Sequence, residues 1–325
     1  MSAIRVGVLR GGVSNEYDVS LKTGGSVLGV LPVHKYKGVD ILMEKDGTLV
    51  VNGIRSKFGD LSRHVDVVFN ALHGEFGEDG RVQQLLEASQ IPYTGSSALA
   101  SSLGMNKIIS KEFAEKAGMK APKHILLRRE ELEGLDIAEF SLNLFKSISQ
   151  PRIIKPIFGG SSIGMTFASN YEKLRQGIEE GFKEEDVIML EEHILGREVT
   201  CGVIDNFRGE KTYALPVVEI VPPEENDFFD YDAKYGGKSR EICPSYLPIE
   251  IKKKVEEMAV KIHEHLGLRH YSRSDFIIGR NHIYFLEVNT LPGLTKESLL
   301  PKSLDVIGLN MSEFVDHIIR LALNK

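Results

Sequence analysis

Between Asp275 and Gly293 the chain reads D-F-I-I-G-R-N-H-I-Y-F-L-E-V-N-T-L-P-G. Two apolar runs flank a polar Gly-Arg-Asn-His turn, the pattern of a β-hairpin. Side chains along a strand repeat with period two, so Glu287 and Asn289 leave the same face. With the turn centred near Asn281, Asp275 falls opposite Glu287 on that face. Two carboxylates and an amide oxygen held together on rigid strands make a hard oxygen set suited to Mg²⁺, and so to a nucleotide triphosphate.

A second stretch, Gly159-Gly160-Ser161-Ser162-Ile163-Gly164, falls between a strand predicted over Arg152–Pro156 and another over residues 165–168. Exposed N–H groups and serine hydroxyls in such a loop suit an anion. Lys155 precedes the loop, whereas in a Walker A motif the lysine follows the glycines and opens a helix, so that motif is excluded. Alone the loop reads as a hairpin turn; beside the oxygen set it reads as a cover over phosphates. Lys107 lies on a helical stretch, where a lysine is ordinarily solvated. Glu191 and Glu198 flank His193-Ile194-Leu195-Gly196-Arg197 after an apolar run. Acids so placed can accept from an adenine amino group or ribose hydroxyls, or simply solvate a strand end.

The elements that must hold these groups alternate at first between strand and helix. An apolar run over residues 4–9 ends in Gly11-Gly12 and leads to a helix near 15–31; another over 65–72 leads through His73-Gly74 to a helix over 81–89. Strands running into glycine turns and helices predict a parallel sheet, which binds ligands at its carboxyl edge. Further helices are expected over 97–118 and 136–149, and strands over 187–191, 198–204 and 212–220. Residues 222–238, rich in Asp, Pro, Gly and aromatic side chains, lack periodicity and read as a loop. Gly24-Gly25 marks either a close helix contact or a break. No internal repeat is seen. The expected division is an α/β unit over 1–98, an α+β unit over 99–186 and a second α+β unit over 187–325.

With 325 residues, 42% hydrophobic and 26% charged, the chain has the make-up of a globular protein of two or three domains. A net charge of −6 and a pI near 6.0 argue against nucleic acid as the main partner. The Lys252-Lys253-Lys254 run sits among Glu250, Glu256 and Glu257, with Ile251, Val255, Met258, Ala259, Ile262 and Leu266 at helical spacing. It is the wet face of an amphipathic helix. His263 and His265, two apart on that helix, point to different faces and are poor co-ligands. Cys201 and Cys243 fit no metal or redox spacing, and the absence of eighteen consecutive apolar residues leaves no membrane span. The expectation is a cytoplasmic protein.

Taken together, the motifs resemble the ATP-grasp superfamily and, within it, the D-alanine–D-alanine ligase family. Gly11-Gly12-Val13-Ser14-Asn15-Glu16 with Val19-Ser20 is similar to the family's N-terminal signature. His73-Gly74-Glu75-Phe76-Gly77-Glu78-Asp79-Gly80 resembles its H-G-x-x-G-E-D-G block, and Tyr93-Thr94-Gly95-Ser96 its Y-T-G-S. Glu287-Val288-Asn289-Thr290-Leu291-Pro292-Gly293 with Ser298-Leu299 closes the pattern. The resemblance covers nearly the whole chain, with the blocks in family order. It implies an ATP-grasp fold, α/β and α+β, in which a Rossmann-like N-terminal parallel-sheet domain adjoins two α+β domains that clasp ATP.

By that resemblance Glu16, helped by His73, holds the amino group of a first D-alanine. Lys107 and Lys155 hold ATP phosphates, with Ser161 and Ser162 in the loop that covers them. Glu191 and Glu198 bind adenosine, with the backbone of Glu192 to Ile194 at the base edge. Arg273 and the Gly293 N–H form an oxyanion site, Ser298 and the Leu299 N–H take the second substrate's carboxylate, and Asp275, Glu287 and Asn289 bind two Mg²⁺, with Mn²⁺ able to substitute. Lys234 reaches the γ-phosphate from a mobile lid, and Tyr235 hydrogen-bonds with Glu16 and Ser161. The implied protein is a homodimeric enzyme acting on D-alanine and ATP for peptidoglycan precursors. Activation of a carboxylate as an acyl phosphate, then amine attack through a tetrahedral oxyanion, needs such cations and donors.

Several positions depart from the family pattern: Asn106 stands where aspartate is usual, Gly159-Gly160 replaces a longer side chain, His270 replaces a glycine, and Ser274 an apolar residue. Ser239-Arg240-Glu241 replaces a Thr-rich segment. Competing readings are a sibling ligase taking D-lactate or D-serine, and a nucleotide-binding regulator without turnover. A pure binder would not need Arg273, Lys234 and both carboxylates together. An NAD-dependent oxidoreductase is disfavoured because no G-x-G-x-x-G follows the first strand.

Overall fold

The computed structural model describes residues 3–149, 151–158, 164–222 and 240–324. The N-terminal apolar runs build a sheet from β1 (Ile4–Gly11), β2 (Tyr36–Met43), β3 (Leu49–Val51), β4 (Ile54–Ser56) and β5 (Val67–Asn70), in the order β4-β3-β2-β1-β5. β1 pairs parallel with β2 and β5, while β2–β3 and β3–β4 are antiparallel. The expected parallel sheet therefore carries an antiparallel edge. Two turns make it: β2 turns into β3 over residues 44–48, where the Glu44 N–H donates to Thr48 O at 2.9 Å, and β3 turns into β4 at Asn52-Gly53, both at positive φ, a two-residue turn whose twist suits a tight hairpin. The helix α1 (Tyr17–Val30) runs unbroken past its glycines. A Cβ on Gly24 would lie 2.5 Å from Arg10 Cβ, whereas one on Gly25 would meet nothing within 4 Å, so only Gly24 marks a close contact.

After α2 (Arg81–Ala88), the single helix expected over 97–118 is two: α3 (Ala98–Met105) and α4 (Lys107–Lys116). Asn106 between them is extended, and its side chain accepts from the N–H groups of Ile108 and Ile109 at 3.0 and 3.1 Å. It caps α4 as an aspartate would, which accounts for the asparagine at this position.

A second sheet contains β6 (His124–Arg128), β7 (Arg152–Pro156), β8 (Thr166–Ala168) and β9 (Val187–Glu192), ordered β6-β9-β7-β8. The helices α5 (Ile137–Ser147) and α6 (Tyr171–Glu184) share its apolar core through Phe140, Leu144, Leu174 and Ile178. β9 pairs with both β6 and β7, so the central unit's hydrogen bonding extends past the expected limit at 186.

The third sheet joins β10 (Gly196–Phe207), β11 (Glu210–Ala214), β12 (Val218–Val221), β13 (Arg240–Ile242), β14 (Tyr271–Gly279) and β15 (Ile283–Asn289) in the order β13-β12-β10-β14-β15, with β11 also on β10. The strand expected over 212–220 is divided where Pro216, lacking an N–H, cannot continue a ladder. α7 (Ile249–His265) buries Val255, Ala259 and Ile262 and leaves Lys253 and Lys254 in solvent. Ala100, Ala114, Ala117 and Met119 pack into the same core as these α7 residues. The chain around 98–119 thus belongs by packing to the third sheet.

α8 (Leu299–Val306) and α9 (Met311–Ala322) complete the described chain. Phe314, Val315, Ile318 and Ile319 of α9 share one core with Val6, Val8 and Phe69 of the first sheet and Ile204 and Tyr271 of the third. One apolar cluster therefore fixes the N-terminal sheet against the hairpin that carries Asp275. No helix among the described residues is long and apolar enough to cross a membrane.

Candidate active site

The β14–β15 hairpin pairs Asp275 with Glu287 and Arg273 with Asn289, the register that a turn at Asn281 requires, with an irregularity after Asp275. Directly paired residues share a face, so four polar side chains line one side. Asp275 is 6% exposed. Arg273 grips it with Nε to Oδ1 and Nη2 to Oδ2, both at 2.9 Å, and Thr200 Oγ1 donates to Oδ1 at 2.6 Å. Asn289 Oδ1 accepts the Leu291 N–H at 2.9 Å. Glu287, only half-buried, is 3.9 Å from Lys107 Nζ. Among the described residues no three His, Cys, Asp or Glu side chains converge. Two carboxylates and an amide oxygen still fit a hard divalent cation by donor type, with Glu287 the most open.

Beside this face lie three buried lysines. Lys107 is 5% exposed, Lys111 0% and Lys155 4%. Between the last two sits Glu191, its Oε2 2.7 Å from Lys111 Nζ and its Oε1 2.8 Å from Lys155 Nζ. Burial alone would raise the Glu191 pKa, but the two ammonium groups hold it below the usual carboxylate range. Burial lowers the pKa of Lys107 and Lys111, with Glu287 opposing at the first and Glu191 at the second. Glu191, expected to bind adenosine, has both oxygens facing ammonium groups here. It is the counter-ion of a lysine pair.

A cavity of about 260 Å³ opens against this cluster, lined by Lys155, Glu191, Glu192, Ile194, Glu198, Asp275 and Glu287 together with Ile153, Met165, Ile220 and Ile277. The structure thus gathers most of the expected nucleotide and metal residues around one space with apolar walls. The Glu192 N–H is already bound to Lys123 O at 2.8 Å, and its carboxylate to the Lys123 N–H at 3.0 Å. That N–H is therefore spent on the strand junction and does not face a base. Ser161, Ser162, Lys234 and Tyr235 lie outside the described residues, as do Gly159, Gly160 and Ser239.

At the other end, Glu16 stands over Gly74. A Cβ there would come within 2.7 Å of Glu16 Oε2, and its φ of +68° favours glycine as well. Ser14 Oγ donates to His73 O at 2.6 Å, and His73 Nε2 is 2.9 Å from Thr23 Oγ1. Burial pushes the His73 pKa down, Glu16 pulls it up and Arg273 lowers it further, so Glu16, His73 and Arg273 feel one another. Glu78, 6% exposed, accepts the Gly74 N–H at 2.9 Å. Burial, then the charge of Glu16, pushes its pKa up to about 8, against the Gly74 N–H and Arg273.

Gly293 is pressed against Ser298: a Cβ would fall 2.8 Å from Ser298 Oγ. Ser298 caps α8 by position, its Oγ held by Thr295 Oγ1 at 2.9 Å and by the Thr295 N–H at 3.2 Å. Leu299 opens the helix, and the first N–H groups of a helix have no intrahelical acceptor, a setting that favours a carboxylate.

Two family patterns match the sequence: D-ala D-ala ligase C-terminus over residues 113–320 and D-ala D-ala ligase N-terminus over residues 51–96. The D-alanine–D-alanine ligase of Syntrophobacter fumaroxidans is 38% identical over 98% of each chain, and that of Halalkalibacterium halodurans 39% identical over 99% of this chain and 100% of its own. The chain belongs to the D-alanine–D-alanine ligase family. Solved members have the same fold. The Bacillus anthracis ligase in complex with ATP is 32% identical with a TM-score of 0.79, covering 99% of this chain and 98% of that one. A D-Ala:D-Ser ligase from Enterococcus faecalis is 29% identical with a TM-score of 0.84, covering 99% and 100%.

In this ligase-family chain, sequence reasoning passed over Lys111, Glu78 and Thr200. Lys111 had a signal: it stands four residues after Lys107, on the same helix face, among buried positions. Glu78 lies inside a quoted motif. Thr200 had none, since only the β10–β14 register puts it opposite Asp275. His263, read as a poor ligand, is buried with Nδ1 2.7 Å from Ser272 Oγ and Nε2 3.1 Å from Asp205, while His265 bonds the Lys261 carbonyl on the exposed side.

Proposed function

We infer that this chain is an ADP-forming ligase that joins two D-alanine molecules into D-alanyl-D-alanine, for peptidoglycan precursor synthesis. Its full-length similarity to ligases of that name supports the reading. The observation that carries it in the structure is the cavity where Lys155, Asp275 and Glu287 meet, with Asp275 gripped by Arg273, whose charge is felt at His73 together with that of Glu16.

In this reading the carboxylate of the first D-alanine takes the γ-phosphoryl group of ATP, giving an acyl phosphate and ADP. The amine of the second then attacks the acyl carbon, loses a proton, and displaces phosphate. Glu16 and His73 hold the first amino group. Lys107 and Lys155 neutralise phosphate charge, Glu198 serves the ribose, and the backbone near Ile194 meets the base. Arg273 and the Gly293 N–H stabilise the tetrahedral oxyanion, and Ser298 with the Leu299 N–H orients the second carboxylate. Asp275, Glu287 and Asn289 would hold two Mg²⁺, which would offset charge on the β- and γ-phosphates. Arg273 would then relax its grip on Asp275 and turn to substrate. The three units clasp ATP between the second and third sheets. The enzyme works in the cytoplasm as a homodimer, with no nucleic-acid partner.

The test is ADP release with ATP, Mg²⁺ and D-alanine, and product identification by mass with D-serine and D-lactate as competing acceptors. D-Alanyl-D-alanine as the main product is expected. No ADP release with any acceptor would defeat the reading, and a depsipeptide or a serine-containing dipeptide as main product would reassign the acceptor. Sedimentation at micromolar concentration checks the dimer.

A further inference from the structure

We propose that Lys111, which nothing in the reaction touches, is a positioning residue for ATP: acting through Glu191, it sets the placement and net charge of Lys155 at the phosphates. The proposal rests on the ligase reading above. Lys111 has no solvent exposure, and its Nζ lies 2.7 Å from Glu191 Oε2, while Lys155 Nζ lies 2.8 Å from Oε1 of the same carboxylate.

Charge counting gives the reason. Lys155 and Glu191 alone form a neutral pair, and a neutral pair attracts a polyphosphate weakly. Adding Lys111 behind the carboxylate leaves the triple with one net positive charge, presented through Lys155 at the cavity wall. It also divides the pull of Glu191 between two ammonium groups, so that Lys155 is not drawn wholly back from the ligand. A purely structural role would be better served by apolar side chains. A buried ion pair rarely stabilises more than a hydrophobic replacement of equal volume, and a helix position with no exposure suits leucine or methionine. Lys111 meets Oε2 of Glu191 and Lys155 meets Oε1, so the shared carboxylate links the two ammonium groups. Burial lowers its pKa, against the charge of Glu191, which is the strain expected of a cation retained for its field.

The experiment measures kcat and ATP KM for the wild type, Lys111→Gln and Lys111→Arg, with calorimetric binding of ADP and of adenosine to each full-length protein. Glutamine keeps a donor toward Glu191 and loses the charge; arginine keeps both. Lys111→Gln should raise ATP KM and weaken ADP on the order of tenfold, the scale of one charge acting within a low-dielectric wall, with kcat and adenosine binding changed by less than about threefold. Lys111→Arg should restore most of the ADP affinity. Unchanged ADP affinity in Lys111→Gln, or equal losses for ADP and adenosine, would overturn the proposal. Because glutamine could also weaken the fold, melting temperatures accompany each variant. If Lys111→Gln does not fold, Lys111→Arg with wild-type stability but tenfold weaker ADP would overturn it, and wild-type ADP affinity would uphold it. A wild type that binds ADP but forms no dipeptide defeats the ligase reading and leaves the binding comparison to judge Lys111.

Discussion

Replacing His270 with glycine changes a side chain whose protonation and backbone conformation both enter stability. His270 is 8% exposed, has φ +70°, and its Nδ1 accepts the Gly95 N–H at 3.0 Å, which requires a neutral ring. Burial first, then the charge of Arg269, lower its pKa from 6.5 to about 4, against the pull of Asp205. As pH falls, the unfolded chain takes up this proton near 6.5 and the folded chain only near 4. His270 therefore contributes stability that is fully present above the unfolded value and is lost as pH falls toward the folded one. At 1.36 kcal/mol per unit, the loss is about 3 kcal/mol over the whole window and about 2 kcal/mol by pH ~5. Glu78 has the opposite sign: with its pKa raised from 4.5 to about 8, it favours the folded state at low pH and loses that stability as pH rises. His73, pushed down by burial, adds to His270. Only the difference between wild type and variant isolates one ring.

Near pH 7.5 the glycine removes left-handed strain, a gain of about 1 kcal/mol, and leaves the Gly95 N–H without its acceptor, a cost of about 1–3 kcal/mol. Wild type should be the more stable there by roughly 0–2 kcal/mol. Urea unfolding repeated near pH 5 should close or reverse that gap, because the variant escapes the ~2 kcal/mol proton uptake penalty. A gap that stays constant to within about 0.5 kcal/mol across the two conditions would refute the assignment of this pH sensitivity to His270.

Lys155→Ala and Glu287→Gln should each lower turnover by roughly a hundredfold or more with far-UV spectra unchanged, the scale of removing one preorganised electrostatic group; near wild-type rates in both would sink the site. Gly25→Ala should stabilise by about 0.5–1 kcal/mol, as alanine does in an open helix interior, whereas Gly24→Ala should destabilise by about 1–3 kcal/mol because its Cβ would meet Arg10 Cβ. Thermal melts of the pair check both signs. Ser274→Ala should raise stability by about 1 kcal/mol, since its fully buried hydroxyl has no hydrogen-bond partner among the described residues. A lower melting temperature would mean that the hydroxyl is satisfied.

What the sequence showed of the site follows from which constraints are local. The facing of Asp275 and Glu287 was legible because strand period and turn position alone determine it, and the bulge after Asp275 falls outside the pair that matters. The break at Asn106 was less legible, because helical periodicity persists through a cap that shares its apolar face with the next helix. The antiparallel edge of the first sheet did have a signal in Asn52-Gly53 between apolar runs. The boundaries near 98 and 186 followed composition, and composition cannot report that β9 pairs between β6 and β7 or that α3 and α4 pack on the third sheet.

The charges show the same division more sharply. A lysine on an amphipathic helix reads as solvated, and for Lys253 and Lys254 that holds. For Lys107 and Lys111 on α4 it fails, and Lys155 on strand β7 is buried as well, because burying an ammonium group is tolerated only when partners from distant segments meet it. Glu191 on β9 is 80 residues from Lys111 and 36 from Lys155, and Glu287 on β15 is 180 from Lys107, so no local pattern couples them. The resemblance named Lys107, Lys155 and Glu191 as separate ligands. Their arrangement instead pairs Glu191 with two lysines, and under the proposal above it is the silent Lys111 that would decide whether Lys155 meets ATP as a cation or as half of a neutral pair.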